Sequence, residues 1–412
     1  MLPINKYKNL FLIVFSIFLY FLFAYSLERA EFNSICITWL FLFGCFYLLI
    51  KNNQISFSNL VGISILFRLI FLFATPNLSQ DFYRFIWDGR LILEGFNPYL
   101  SLPETFIERG NLIISEAKEL YNGMGNLNGS HYTNYPPLNQ LNFLIAALFS
   151  SKSIFGSIVI LRLQIIFADI GIIYFGRKLL DKLNINAKNI FWYALNPFVI
   201  IEMTGNLHFE SVMLFFLVWS LYQFYQKKWI IGSILLGCSI SIKLIPLLFL
   251  PLFFDSFRTT SNKKTNHFLQ FILFSCIAIS VTLVLFIPFL SSELITNYTN
   301  SIGLWFDNFE FNASFYYILR EIGYLFRGYN EISIIGKIGP ILTVLLIGVF
   351  LFKKKQIKKK QKDFIQLISS MMFVLSFYYF TSTTIHPWYI STILILSIFT
   401  KYKFPLIWSF LI

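Results

Sequence analysis

Apolar residues run along this chain in long blocks. Blocks near the length needed to cross a bilayer, about 20 residues, lie at 10–27, 35–50, 57–75, 155–175, 208–226, 268–290, 333–352 and 364–384. Shorter ones lie at 138–150, 189–201, 388–400 and 404–412. The block 229–254 carries Lys243 and Pro246 near its middle. A lysine burdens a single span and a proline breaks it, so this block predicts a tight up-and-down pair of shorter helices with Lys243 at the tip. The segment 138–150 predicts a re-entrant or surface-lying helix. Together the blocks predict an all-α polytopic membrane protein, organised as one domain over 1–412. The first block has no convincing small-residue cleavage site and reads as a retained helix. The chain stops inside the apolar run "FPLIWSFLI", an ending expected either of a protein that finishes at the membrane or of one with further spans beyond it.

Composition agrees with the pattern. The chain is 57% hydrophobic and 13% charged, about half the charged share of a soluble domain. Its net charge of +13 raises the question of nucleic acid, and the placement of the charges answers it. With the N-terminus inside, the inner loops hold 21 basic residues, including the run "KKKQIKKKQK" at 353–362, against only Asp181, Asp255 and Asp363. The basic excess is then a positive-inside topology signal, and no nucleic-acid partner is expected. The four cysteines (Cys36, Cys45, Cys238, Cys276) all sit in apolar runs with no CxxC pair, so they read as buried small hydrophobes. No HExxH, GxGxxG or P-loop is present.

Two long loops, 76–137 and 291–332, fall on the outer side, which is where chemistry is expected. Asp81 to Glu94 predicts an amphipathic helix with Phe82, Phe85, Ile86, Gly89 and Leu93 on one stripe, lying in the membrane interface. Asp81, Arg84 and Asp88 share an adjoining face. Arg84 and Asp88 are spaced for an i,i+4 pair. Asp81 either favours the helix N-terminus through the dipole or serves as a catalytic carboxylate. Gly95 suits the helix C-cap. The same topology brings "HYTNYPPL" (131–138), "NPFVIIEMTGNLHFE" (196–210), Lys243 and "TTIHPWYI" (383–390) to the outer side. Arg68, Arg162 and Asp169 lie within apolar blocks, and Arg162 and Asp169, seven apart, are expected to pair.

The series "DFYRFIWDGRLILEGFNPY", "NYPPL", "NPFVIIEMTGNLHFE", "SIKLIPLLFLP" and "HPWY" resembles the GT-C glycosyltransferases. More narrowly it resembles the bacterial polyprenyl-phosphate-mannose-dependent mannosyltransferases, and more distantly the catalytic subunit of GPI mannosyltransferase I. The resemblance implies a GT-C-type bundle of about 12–13 transmembrane helices, with amphipathic helices in a long first outer loop. It implies an inverting transfer of a hexose, with mannose expected, from a polyprenyl phosphate carrier to a glycan or lipid acceptor hydroxyl. The implied setting is the non-cytoplasmic face of a bacterial inner membrane, with membrane lipid around the enzyme. The family's essential acidic residue matches Asp81, which would be the general base. Lys243, with Arg84 and His386, would bind the donor phosphate. Glu202, Asn206 and His208 would hold the sugar or the acceptor, and Tyr135 and Trp388 would stack on sugar or line the prenyl groove. Some relatives carry a paired acidic motif suited to a divalent metal. Here Gln80 and Phe82 flank Asp81, so a metal is not indicated and no cofactor is expected. The competing readings are a transporter or flippase of lipid-linked sugar, which also suits intramembrane charges, and a scaffold for a membrane complex.

Overall fold

A computed structural model of the chain describes residues 2–150, 152–260, 264–307, 309–352 and 360–412. The chain is an all-α polytopic membrane protein. Its helices are α1 (Leu2–Tyr25), α2 (Phe32–Lys51), α3 (Phe57–Ile70), α4 (Asp81–Leu93), α5 (Pro103–Glu108), α6 (Ala117–Gly129), α7 (Pro137–Phe149), α8 (Ile154–Lys182), α9 (Phe191–Ala194), α10 (Pro197–Val199), α11 (Glu210–Tyr225) and α12 (Trp229–Ile242). There follow α13 (Phe253–Thr260), α14 (Lys264–Phe286), α15 (Leu294–Asp307), α16 (Phe315–Arg327), α17 (Ile332–Phe352), α18 (Lys360–Thr381), α19 (Ile390–Ser397) and α20 (Phe404–Leu411). The basic run at 353–359 lies outside the described residues.

Six helices among the described residues are long and apolar enough to span a bilayer: α1, α2, α8, α14, α17 and α18. A seventh candidate is a broken pair, Pro197–Gly205 with Glu210–Tyr225, bent by 115°. The remaining predicted blocks fold as shorter helices, among them α3, α7 and α12. A helix of 14 residues reaches only about 21 Å, short of a hydrocarbon core of roughly 30 Å. Such pieces, and the irregular backbone between them, are tolerated at membrane depth because they pack inside protein. The block 229–254 breaks at Lys243, with α12 before it and a tight 3-10 turn, Ile245–Leu252, after it.

Buried ion pairs fix the centre. Arg68 of α3 bonds Asp169 of α8 at 2.7 Å, each side chain about 1% exposed. Arg162, expected to pair with Asp169, instead donates to the carbonyls of Thr204, Gly205 and Leu72. Seven-residue spacing on α8 puts the two on one face, but Asp169 meets a cation from a neighbouring helix and Arg162 reaches the broken pair.

The first outer loop departs from its predicted setting in one respect. α4 does not lie with a greasy face on lipid; Phe82, Trp87, Asp88, Gly89, Arg90 and Leu91 are all buried. It packs between α6 and α7, where Gly89 lies so close to the Phe143 carbonyl that any Cβ would collide with it. The Arg84 and Asp88 charges on its polar face are neutralised internally, as their spacing predicts. Arg84 pairs with Asp88 at 2.8 Å, and Gln140 donates to the other Asp88 oxygen. The helix ends as expected: Gly95 takes φ +82, its N–H bonds Ile92, and the Phe96 N–H bonds Leu91, a Schellman closure.

Candidate active site

The segments that the sequence brought to one face enclose a cavity of about 520 Å³. Its walls come from the start of α4, the 133–136 strap, the bend between α10 and α11, the break after α12, and the stretch 378–392. Asp81, Arg84, Tyr135, Glu202, Lys243, His386 and Trp388 line it. Asn206 and His208 do not. Both are 1% exposed and form the layer behind. Asn206 accepts from the Leu78 N–H, and the His208 Nε2 stands 3.5 Å from Glu202.

The bend that carries the acids is built locally. Asn196 caps the turn at Pro197 by accepting the Phe198 N–H. Ile200–Gly205 then widens into a π-helical turn. Leu207, fully buried, takes φ +63, a conformation that costs a β-carbon residue about 1–3 kcal/mol and persists only where the surroundings enforce it. The enforcement is visible in the Asn206 N–H to Ile201 and His208 N–H to Met203 bonds. The 115° turn aims Glu202 and Glu210 into the same cavity.

Lys243 caps α12 in an extended conformation, φ −147 and ψ 142. That geometry swings its ammonium away from the helix axis and onto the Glu210 carboxylate. Glu210 is 2% exposed, and its second oxygen has no bonding partner among the described residues. The sequence put Glu210 near this turn but gave it no task. The pairing depends on a contact between residues 33 positions apart, at the start of α11 and the end of α12, which no local spacing reveals. The same is true of Tyr379 and Tyr389, which stack in the cavity wall with ring centroids 5.8 Å apart.

Asp81, at the first position of α4, has its carboxyl raised above the ordinary aspartate range. Burial is the main cause, opposed by the charge of Lys243 and a hydrogen bond from Asn128. Arg84 lines the cavity, but its guanidinium also bonds the Asn128 and His131 carbonyls besides Asp88. His386 is lowered to about 4 by burial and by the charge of Lys243, so it presents a neutral ring near pH 7. That ring belongs to a stack. Trp388 lies against His386 at 4.5 Å between centroids and against His208 at 3.6 Å. Phe311, from the second outer loop, covers His386 at 5.2 Å. Backbone bonds from the Phe311 N–H to Thr383 and from the Ile385 N–H to Phe311 hold that loop to the 383–385 turn.

The arrangement sets a carboxylate suited to acid–base chemistry in the same cavity as an ammonium held by Glu210. A desolvated carboxylate faces a space shared with an ammonium, and aromatic rings wall the rest. Among the described residues no group of three or more His, Cys, Asp or Glu side chains is placed to hold a metal ion.

Comparison with known proteins covers the same segments. The family described as alpha-(1->6)-mannopyranosyltransferase, N-terminal domain, matches residues 24–255, more than half of the chain, and this window contains every residue of the cavity from Asp81 to Lys243. The family described as ALG3 protein matches 206–371. His386 and Trp388 lie beyond both windows. Alpha-(1->6)-mannopyranosyltransferase A of Corynebacterium glutamicum is 24% identical over 185 residues, 44% of this chain and 35% of that protein. The match thus spans about a third of the relative's length. No solved structure matches.

Proposed function

Because this chain belongs to the alpha-(1->6)-mannopyranosyltransferase family, we propose that it is a membrane mannosyltransferase taking its sugar from a polyprenyl phosphate and placing it on a glycan or lipid acceptor hydroxyl. The observation that carries the reading is the shared cavity of Asp81 and Lys243. Asp81 accepts the acceptor's proton as that oxygen attacks the anomeric carbon from the face opposite the phosphate. The bond between the anomeric carbon and the phosphate oxygen breaks, and the departing lipid phosphate takes up the charge. Lys243 is the group to receive it, with Glu210 holding the ammonium in place until the phosphate competes for it. Glu202, backed by His208, faces the sugar hydroxyls. Trp388 and Tyr135 offer the flat apolar surfaces that sugar rings and prenyl chains pack on.

Charge distribution supports the setting. The acid-rich loops 76–137 and 291–332 both contribute to the cavity wall, and the basic loops read in the sequence as the cytoplasmic side; this supports a reaction on the face away from the cytosol, which we place at a bacterial inner membrane toward the periplasm. An activated lipid-phosphate sugar needs no nucleotide site.

The test is a transfer assay with purified protein in detergent, polyprenyl phosphate mannose and candidate acceptors, reading a mass gain of one hexose. Wild-type protein is expected to transfer and Asp81→Asn to fail. Full activity in Asp81→Asn would remove the base assignment. Transport of the lipid-linked sugar across vesicles without transfer would replace the enzyme reading by a flippase.

A further inference from the structure

α16 has an apolar side that the described residues leave largely open, Phe380 meeting only Phe315 at its start. Phe315, Ile318, Leu319, Ile322, Leu325 and Phe326 are exposed, the last two by 84% and 82%. Their spacing puts all six on one stripe of the helix. A soluble surface rarely leaves such a patch. The chain just beyond α16 indicates the occupant. Only Gly328–Glu331 separates it from α17, a candidate membrane span whose Ile334, Ile341 and Leu345 are exposed in the same way. Four residues reach at most about 14 Å, so α16 is tied to the end of a candidate span whose own apolar residues are left exposed. Gly328, at φ +77, closes the helix and turns the chain into that span.

The other side of α16 is polar and is bonded to the roof of the cavity. The Tyr316 hydroxyl bonds Glu310 at 2.6 Å and Asn330 at 2.9 Å. Arg320 donates to the other Glu310 oxygen at 2.6 Å. Glu310 sits between Phe309 and Phe311, which both line the cavity, and Phe311 is the residue bonded to the 383–385 turn. α16 is thus the link between a surface facing outward and the segment over the site.

We propose that α16 is an interfacial helix, lying in the membrane–water boundary on the side of the cavity with its apolar stripe in lipid, and that this seat holds residues 309–311 over the cavity. The partner is the bilayer surface. Arg320 and Arg327 lie on the side opposite the stripe, paired with Glu310 and Glu331, which gives the helix the polar face that an interfacial seat requires. This inference does not depend on the reaction catalysed.

The test uses full-length protein in lipid nanodiscs. Leu325→Cys and, on the far side of the helix, Tyr324→Cys are labelled with a fluorophore, with the parent protein as the blank for its own cysteines. Quenching by lipids carrying a nitroxide on the acyl chain is then measured. Strong quenching at 325 with little at 324 is expected. Equal quenching at the two positions overturns the interfacial seat. In a second arm, hydrogen exchange is followed at Phe311 and Ile385 in the double variant Leu325→Glu, Phe326→Glu. Exchange at these two amides is expected to speed up by about tenfold or more while the amides of α8 keep their protection. Unchanged exchange at both overturns the claim that the seat holds the roof.

Discussion

Lys243 gives its ammonium to Glu210 across the break that ends α12. One carboxylate oxygen of Glu210 accepts it and the other is left buried without a partner among the described residues. A fully satisfied pair would hold the cation too well to release it to a substrate. A half-satisfied one is poised to exchange. Lys243→Met is therefore expected to lower kcat by about 10²–10³-fold, the usual cost of removing one donor to developing negative charge. Glu210→Gln leaves the cation but loosens its anchor. Its expected signature is a change in KM for the lipid donor larger than the change in kcat. Steady-state transfer rates at varied donor concentration distinguish the two. Equal effects of the two variants on kcat would contradict separate roles.

Asp81 gives a pH dependence with a definite sign. Its carboxyl is raised by burial, so the base is protonated and idle to a higher pH than an exposed aspartate would be. The acid limb of kcat/KM is expected above the ordinary aspartate range. Lys243 pulls this value down through its charge, so Lys243→Met should move the remaining limb to still higher pH. A limb that stays in place would mean that another group titrates. The same shift bears on stability. A carboxyl raised in the folded state binds protons more tightly there than in the unfolded chain, so its ionisation lowers stability as pH climbs through that window. Asp81→Asn should accordingly keep or slightly raise the melting temperature at neutral pH while losing about 10²–10⁴ in rate. A melting temperature that falls would show that the carboxylate is structural.

His386, expected to help bind the donor phosphate, belongs to a stack of rings in the cavity wall. Lowered to about 4, it is neutral at working pH and stacked between Trp388 and Phe311. His386→Phe keeps the stack and is expected to retain most of the transfer rate. His386→Ala, which opens the stack beneath Phe311, should lose about 1 kcal/mol or more of aromatic contact and raise KM. If the phenylalanine variant is as poor as the alanine one, an imidazole nitrogen is needed after all.

How much of this was legible before the structure depended on what enforces each feature. Lipid demands long apolar runs, so α1, α2, α8, α14, α17 and α18 were plain from the sequence. The break at Lys243 was legible too, because a lysine and a proline cannot share one span. The Gly95 closure followed from glycine's freedom at positive φ. The burial of α4 was not legible. The Arg84–Asp88 pair follows from its i,i+4 spacing, but that the pair is buried, with Gln140 on the second Asp88 oxygen, shows only in the fold. Sequence order placed seven of the nine chosen side chains around one cavity, but it could not tell lining from backing. Asn206 and His208 share the bend that carries Glu202, and the π-helical turn with Leu207 at positive φ decides which of them face inward.

The pairing of Arg68 with Asp169 was the other surprise, and it makes the sharpest stability prediction. Both groups are about 1% exposed, and the Arg68 Nη1 also bonds Ser64 and the Ala194 carbonyl. Removing one partner strands the other charge in a dry interior, at a cost of about 3–5 kcal/mol. Asp169→Asn and Arg68→Met are each expected to lower the melting temperature in detergent markedly. Replacing both, as Arg68→Met with Asp169→Leu, removes both charges together and is expected to cost less than either single change. The Tyr193 hydroxyl, which reaches Asp169 at 3.4 Å and Ser211 at 3.4 Å, keeps the serine as partner in the double variant. Arg162→Met should behave differently. Among the described residues its bonds run to the carbonyls of Leu72, Thr204 and Gly205, so its loss relaxes the bend that carries Glu202 rather than stranding a carboxylate. Its effect should appear in transfer rate as well as in melting. Scanning fluorimetry on the four variants, with transfer assays beside it, checks the set. A double variant less stable than both singles would show that the ion pair itself, and not the stranding of its members, holds α3 to α8.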